Sequence, residues 1–285
     1  MAAPAVIARY YDRNTRRFLR HGGSGDALAI HRPLWAPGIV TAEAAAGHVN
    51  DLCAETAERL LGRPPGRVAD LGCGVGGTLL HLARRWPLAR LEGLTISPEQ
   101  ARIAARHAGS RGLGGRVAVQ CGDFLQQEAG RAGAELVVAI ESHVHAPDAA
   151  AFLRAAAGRL APGGVLLVVD DMLSRPEAEL TGPQRRRISA IRQGWRLGHL
   201  GTADGLSEAA AAHGLAEVAR RDLTGWLHLY RLRDRALRVA GPLADVLGLG
   251  RWPLFGNMIG GNALTCAYRE GLMRYTLLAF RAPGG

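Results

Sequence analysis

Residues 68–77 read Val-Ala-Asp-Leu-Gly-Cys-Gly-Val-Gly-Gly, and no other stretch limits the fold so sharply. A short apolar strand ends at an acid, Asp70, and meets glycines at 72, 74, 76 and 77 before a helix-forming run at 78–86. A strand that breaks on glycine and re-enters a helix brings bare backbone close to a ligand and aims the first helical N–H groups at it. The chain therefore carries a strand–turn–helix unit with a cofactor at the turn. Two patterns overlap in these letters. Gly72-x-Gly74-x-x-Gly77 has the spacing of a dinucleotide loop, and Asp70-x-Gly72-x-Gly74-x-Gly76 suits a second kind of nucleotide-cofactor loop. The glycines alone do not separate them.

From Val68 onward, short β-rich runs alternate with longer helical ones. The pattern predicts strands at 67–70, 90–94, 116–119, 135–140 and 165–169, with helices at 76–86, 98–109 and 147–160 between them. Such alternation builds a parallel sheet from βαβ units. Ala161-Pro-Gly-Gly164 reads as the turn into the fifth strand. Residues 171–205 carry an arginine cluster at 185–187 and read as an insertion over the sheet. A helix near 207–213, a strand near 216–223, a helical stretch at 226–247 and a final strand at 274–281 complete the pattern.

A dinucleotide site wants an acid at the end of the second strand, about 20 residues past the glycines. That strand ends Leu91-Glu-Gly-Leu-Thr95-Ile-Ser97-Pro-Glu-Gln100, with Glu92 inside it and neutral Thr95 at its tip. Gly-Leu-Thr-x-Ser-x-x-Gln resembles the S-adenosylmethionine (SAM) methyltransferase branch that holds cyclopropane fatty-acid synthases, tocopherol methyltransferases and prenyl diphosphate methyltransferases. The resemblance implies an α/β fold: a seven-stranded, mostly parallel, Rossmann-like sheet with an N-terminal helical lid over 1–66. The core is then 67–285, with substrate-covering insertions near 171–205 and 226–260. It also implies that Thr95 and Gln100 bind ribose, Ile96 lies beside them, Asp123 takes the adenine amino group and Phe124 packs on the ring. The plainer alternatives are a surface residue for Gln100 and a helix cap for Asp123. Asp70, with Gly72 and Gly74, completes the cofactor set, because a carboxylate near the cationic methionine end is favourable.

The 35 basic residues are all arginine and the formal net charge is +10. Arginine forks bind phosphate in pairs, which suits an anionic substrate. Nucleic acid is a weaker reading, since only 5% of residues are aromatic and no recognised binding module occurs. Apolar runs such as 165–169 fall short of the roughly 20 residues of a membrane span. Without a basic-then-apolar leader or paired cysteine spacing, the chain reads as cytoplasmic, with no membrane partner.

The N-terminal Tyr10-Tyr11-Asp12-x-Asn14-Thr15-Arg16-x-Phe18 and Ile30-His31-Arg32-x-x-Trp35 resemble bacterial methyltransferases of isoprenoids, typified by geranyl diphosphate 2-C-methyltransferase. Ala267-Tyr268-Arg269-Glu270-Gly271 with Arg274-Tyr275 resembles their closing segment. The resemblance implies a SAM-dependent C-methyltransferase acting on an alkene carbon of a prenyl diphosphate or a prenylated natural product, and a homo-oligomer. An O- or N-methyltransferase of a secondary metabolite is the competing reading. Glu141, in Ile140-Glu141-Ser142 at the end of strand four, is the expected base. A carboxylate there can stabilise a carbocation and remove its proton. Tyr11 is expected to close over SAM, and Trp35, Tyr268 and Tyr275 to face the substrate. Asn14, Arg16, Arg17, His31 and Arg32 would hold a diphosphate, with Mg2+ bridging if that diphosphate is free. No dedicated metal site is expected: His143-x-His145 lacks a third ligand, and Asp170-Asp171 reads as the end of strand five.

Overall fold

The computed structural model describes residues 7–9, 11–12, 15, 28, 30–126, 133–229 and 253–284. Its centre is one seven-stranded sheet in the order β3-β2-β1-β4-β5-β7-β6. The strands are β1 (Arg67–Leu71), β2 (Arg90–Thr95), β3 (Val117–Cys121), β4 (Ala134–Ile140), β5 (Leu160–Leu173), β6 (Ala216–Asp222) and β7 (Met273–Arg281). β1 to β5 pair in parallel, and β7 runs antiparallel between β5 and β6. The chain order reverses between β1 and β4, so their carboxyl ends open the crevice where such sheets take ligands.

Side-chain alternation explains why β4, β5 and β7 are apolar almost throughout. Leu136, Val138, Val165, Leu167, Val169 and Leu277 enter the core on one face. Val137, Ala139, Leu166, Val168, Leu278 and Phe280 enter the core on the other. Helices cover both faces, so neither phase of the alternation is polar. β6, at the edge, is mostly exposed and carries Glu217, Arg220, Arg221 and Asp222, charges that protect a free edge.

The helices are α1 (Ala42–Leu61), α2 (Gly77–Arg85), α3 (Pro98–Ser110), α4 (Ala149–Ala157), α5 (Gly182–Trp195), α6 (Ala203–Ala212) and α7 (Pro253–Arg269). α1 buries Ala45, Val49, Leu52, Cys53 and Ala57 against the sheet and α2, so it is a core helix. Lid residues, if the N-terminal segment closes the crevice, lie before it. α3 starts on Ser97, whose Oγ accepts the Gln100 N–H, with Pro98 in the first turn. α2 starts on Gly76 at φ 82 with no side-chain cap. Its first N–H groups are left for a ligand.

Three sequence expectations need correction. β5 is longer than 165–169, because β7 pairs with it from Val165 to Leu173. Asp170 and Asp171 therefore lie inside a buried strand and do not end it. The expected turn at 161–164 appears as an irregularity where β4 and β5 shift register. α7 covers a segment with no predicted helix, whereas most of the helical stretch expected at 226–247 lies outside the described residues.

Candidate active site

The glycine turn and the loop after β4 meet at the crevice. Gly72 has φ 92, and a Cβ there would stand 2.4 Å from Ser142 Cβ. Ser142 Oγ donates to the Leu71 carbonyl at 2.5 Å, which pins the β4 loop to the β1 turn. The N–H groups of Gly72 and Cys73 both donate to the Leu94 carbonyl at 2.9 Å, fixing the turn against β2. Asp70, 3% exposed, lies one residue from this turn. Burial alone pushes its carboxyl up to about 7, with no neighbouring cation drawing it back.

At the end of β2, Thr95 Oγ1 donates to Gln100 Oε1 at 2.7 Å, and both residues are buried. Gln100 is therefore not a surface residue of α3. Its Nε2 donates to Thr15 Oγ1 at 3.2 Å, and Ser97 Oγ donates to Asp12 Oδ1 at 2.5 Å. The N-terminal segment thus bonds directly to the start of α3. Ile96, half-buried, lies between Thr95 and the capping Ser97. Asp123 Oδ1 accepts the Leu125 N–H at 2.9 Å, closing a local turn, and caps no described helix. Phe124 stands edge-on to Phe152 at 6.1 Å. An uncapped helix start, a buried acid with no opposing charge and glycines that exclude a Cβ make a cradle that fits SAM.

The acceptor side is built around Glu141, which sits at φ 52, in the left-handed region. Its N–H donates to Val169 O at 2.8 Å, and its Oε1 accepts the Arg32 backbone N–H at 2.8 Å and the Tyr275 hydroxyl at 2.9 Å. The Arg32 guanidinium forks onto Asp171 at 2.5 and 2.6 Å. Tyr268 donates to the same Asp171. Burial pushes the Tyr268 and Tyr275 phenols well up, so both stay neutral donors. Burial also raises the Asp171 carboxyl, against the pull of Arg32.

The residues expected to meet substrate have these surroundings. Arg32 is turned onto Asp171 and presents no free fork for a diphosphate. Both ring nitrogens of His31 are buried without a partner, and burial pushes the imidazole down to about 4. A neutral imidazole gives a diphosphate no charge. Tyr275 is fully buried and Tyr268 is 5% exposed, and each places its hydroxyl on an acid. Trp35 stacks on His228 at 4.5 Å and 5°. Tyr11 bonds His145 Nε2 through its hydroxyl at 2.8 Å. Asn14, Arg16 and Arg17 lie outside the described residues.

Sequence reasoning missed Asp171 as the partner of Arg32 and Asp170 as the partner of His143, at 2.6 Å from its Nδ1. The signal was present: two adjacent acids in an apolar strand need partners once buried. His143 and His145 serve different partners. Among the described residues, no group of three or more His, Cys, Asp or Glu could hold a metal ion, and no helix is long and apolar enough to cross a membrane.

Residues 68–164 match a family model described as a methyltransferase domain. The chain is 26% identical over 232 residues to ajmaline N-methyltransferase of Rauvolfia serpentina, covering 77% of each. Among solved structures it resembles the [4+2]-cyclase SpnF, at a TM-score of 0.73 and 24% identity, covering 100% of this chain and 98% of that one. It also resembles a geranyl diphosphate methyltransferase solved with GPP and sinefungin, at a TM-score of 0.72 and 20% identity, covering 98% of each. At these identities the structural likeness is one of fold.

Proposed function

For this chain, a SAM-dependent methyltransferase of Rossmann-like fold, we propose that the acceptor is an alkene carbon of an isoprenoid carried on a neutral, prenylated molecule. The observation that carries the reading is Glu141: a carboxylate at the carboxyl end of β4, in a left-handed conformation, with one oxygen that takes no hydrogen bond from the described residues. Non-glycine residues keep such backbone where the surroundings impose it, and functional sites are where they cluster.

Asp70, Gly72, Gly74, Thr95, Ile96, Gln100, Asp123 and Phe124 would hold the cofactor, with Tyr11 over it. When bound, SAM supplies an electrophilic methyl group carried on a cationic sulfur. An alkene methylated at one carbon is left with a tertiary cation at the other. Glu141 stabilises that charge and takes a proton from the adjacent carbon, whose C–H electrons re-form the double bond. Asp12, Thr15 and Arg32, which bond to the start of α3 and to Glu141, would belong to the cover that keeps water from the cation. A neutral acceptor is favoured over a free diphosphate because Arg32 is neutralised by Asp171 and His31 is uncharged.

Incubation with labelled SAM and a panel of prenylated phenols, geranyl diphosphate and farnesyl diphosphate tests the reading. The expected result is label on a carbon of the prenylated phenols. Label only on oxygen or nitrogen would overturn it. Glu141→Gln is expected to lower kcat by about 10²–10⁴ with SAM affinity unchanged.

One observation favours a second reading, N-methylation of an amine. The two carboxylates of Glu141 and Asp171 face a single guanidinium, at 3.9 and 2.5 Å, which leaves the wall net negative and suits a cationic acceptor. An amine needs less help with its proton, so Glu141→Gln would then cost little.

A further inference from the structure

Arg32 reaches Glu141 by its backbone and Asp171 by its side chain. The main-chain N–H meets Glu141 Oε1 at 2.8 Å, while the guanidinium forks onto Asp171 from the other side. The same guanidinium lies 5.3 Å from the Tyr275 ring centroid and 5.8 Å from that of Tyr268. Tyr275 in turn donates to Glu141, and Tyr268 to Asp171. Five residues, each from a different element or loop, therefore close on one another. Asp171 and Tyr275 are direct partners across the β5–β7 ladder, so their side chains leave the sheet on the same face.

The hydrogen bonds to Glu141 all converge on Oε1. Among the described residues Oε2 accepts none. An oxygen that already takes two donors is a poor site for a further proton, so the next proton goes to Oε2.

We propose that Arg32 and Asp171 are a positioning pair: they hold the 32 backbone and Tyr275 on Glu141 Oε1, so that Oε2 is the oxygen presented to the acceptor. The inference rests on the base role proposed for Glu141. The bidentate fork is what fixes the pair. It locks the plane of the guanidinium, and with it the strap from Ile30 to Arg32 that passes Gly74 on one side and Glu141 on the other. Lysine keeps the charge but cannot fork. A carboxylate freed to swing by an ångström loses about 10²-fold in rate, by the usual sensitivity of positioned groups. Neither member of the pair needs to touch the acceptor for this to hold.

Asp171→Asn and Arg32→Lys test the pair through two independent readouts. In steady-state kinetics with whichever acceptor the wild-type enzyme methylates, both variants are expected to lose about 10- to 100-fold in kcat. KM for acceptor and for SAM should stay within about threefold, and calorimetric SAM affinity should match the wild type. A merely structural lesion would weaken SAM binding and lower both kinetic parameters together, which would overturn the proposal. The second readout is a crystal structure of each variant. The Glu141 carboxylate is expected to have left Tyr275 Oη and the Arg32 N–H, with the glycine loop unmoved. Glu141 in its present position in both variants would also overturn it. If Asp171→Asn does not fold, Arg32→Lys, which retains the charge, carries both readouts. Failure of the isoprenoid reading shows in the wild-type acceptor panel, and the crystal structures then still decide whether the pair orients Glu141.

Discussion

Two acids at the crevice are held in opposite ways. Glu141 occupies a left-handed backbone that costs a non-glycine residue about 1–2 kcal/mol. It is kept there by its own N–H on Val169, by two donors on Oε1 and by the neighbouring Ser142 hooked to Leu71. Asp70 has no such partner, and burial raises it from 3.8 to about 7. Between those values the folded chain keeps a proton that the unfolded chain has released. Asp70 therefore lowers stability as pH rises from about 4 to about 7 and adds no further change above that. A cationic ligand beside it requires the ionised form, so SAM binding near pH 6 should release close to one proton. Calorimetry in two buffers of different ionisation enthalpy reads that proton, and Asp70→Asn should abolish it. Binding of SAM without proton uptake or release at pH 6 would remove the cation from Asp70. The glycines, Asp70, Thr95, Gln100 and Glu141 were readable because each sits within a few residues of a strand end. The partners of Glu141 were not, since Arg32 lies 109 and Tyr275 134 positions away.

The early elements were legible for the same reason. β1 to β4, α2 and α3 follow local periodicity and caps, and the structure places them within a few residues of the expected bounds. α7 was not legible. Its sequence contains Gly256, Gly260 and Gly261, each costing about 1 kcal/mol of helix propensity. What stabilises it is packing: Gly260 lies so close to Gly194 and Trp195 of α5 that a Cβ would meet the Gly194 backbone at 2.9 Å. The hooks of the N-terminal segment on α3 were hidden too, because each joins residues about 85 positions apart. They give an element-level prediction. Asp12→Ala removes the acceptor of Ser97 Oγ and loosens the segment, which keeps its Thr15 bond to Gln100, while Ser97 still caps α3. SAM affinity should fall about two- to tenfold, the worth of one hydrogen bond, with Tm within about 2 °C. Unchanged affinity in a titration would deny this segment a part in covering the cofactor.

Across the whole molecule, net charge and the described surroundings of Glu141 point to different acceptors. The chain carries +10, yet among the described residues the wall around Glu141 holds two acids to one arginine. Bulk composition reports the average surface, whereas the acceptor meets a few side chains whose pairing depends on distant register. Two outcomes are expected with a prenylated phenol as acceptor: chelation by EDTA leaves turnover unchanged, and millimolar pyrophosphate does not compete. Competitive inhibition by pyrophosphate would restore the diphosphate reading. The parallel part of the sheet was legible from the alternation of elements, but the meeting of residues 32, 141, 171, 268 and 275 was not. It depends on β7 sliding antiparallel along β5 into one register, with Asp171 opposite Tyr275. A slip of one residue would turn Tyr275 to the far face and release Glu141. β7 follows every other described strand in chain order, so on the ribosome it emerges last. A nascent chain that has already made β1 to β5 and its glycine turn owns the parts of a cofactor site but only part of the bonding around Glu141. Of the described strands, the last to leave the exit tunnel supplies the Tyr275 donor, and synthesis halted before it yields a chain in which Glu141 Oε1 keeps the Arg32 N–H but lacks that hydroxyl.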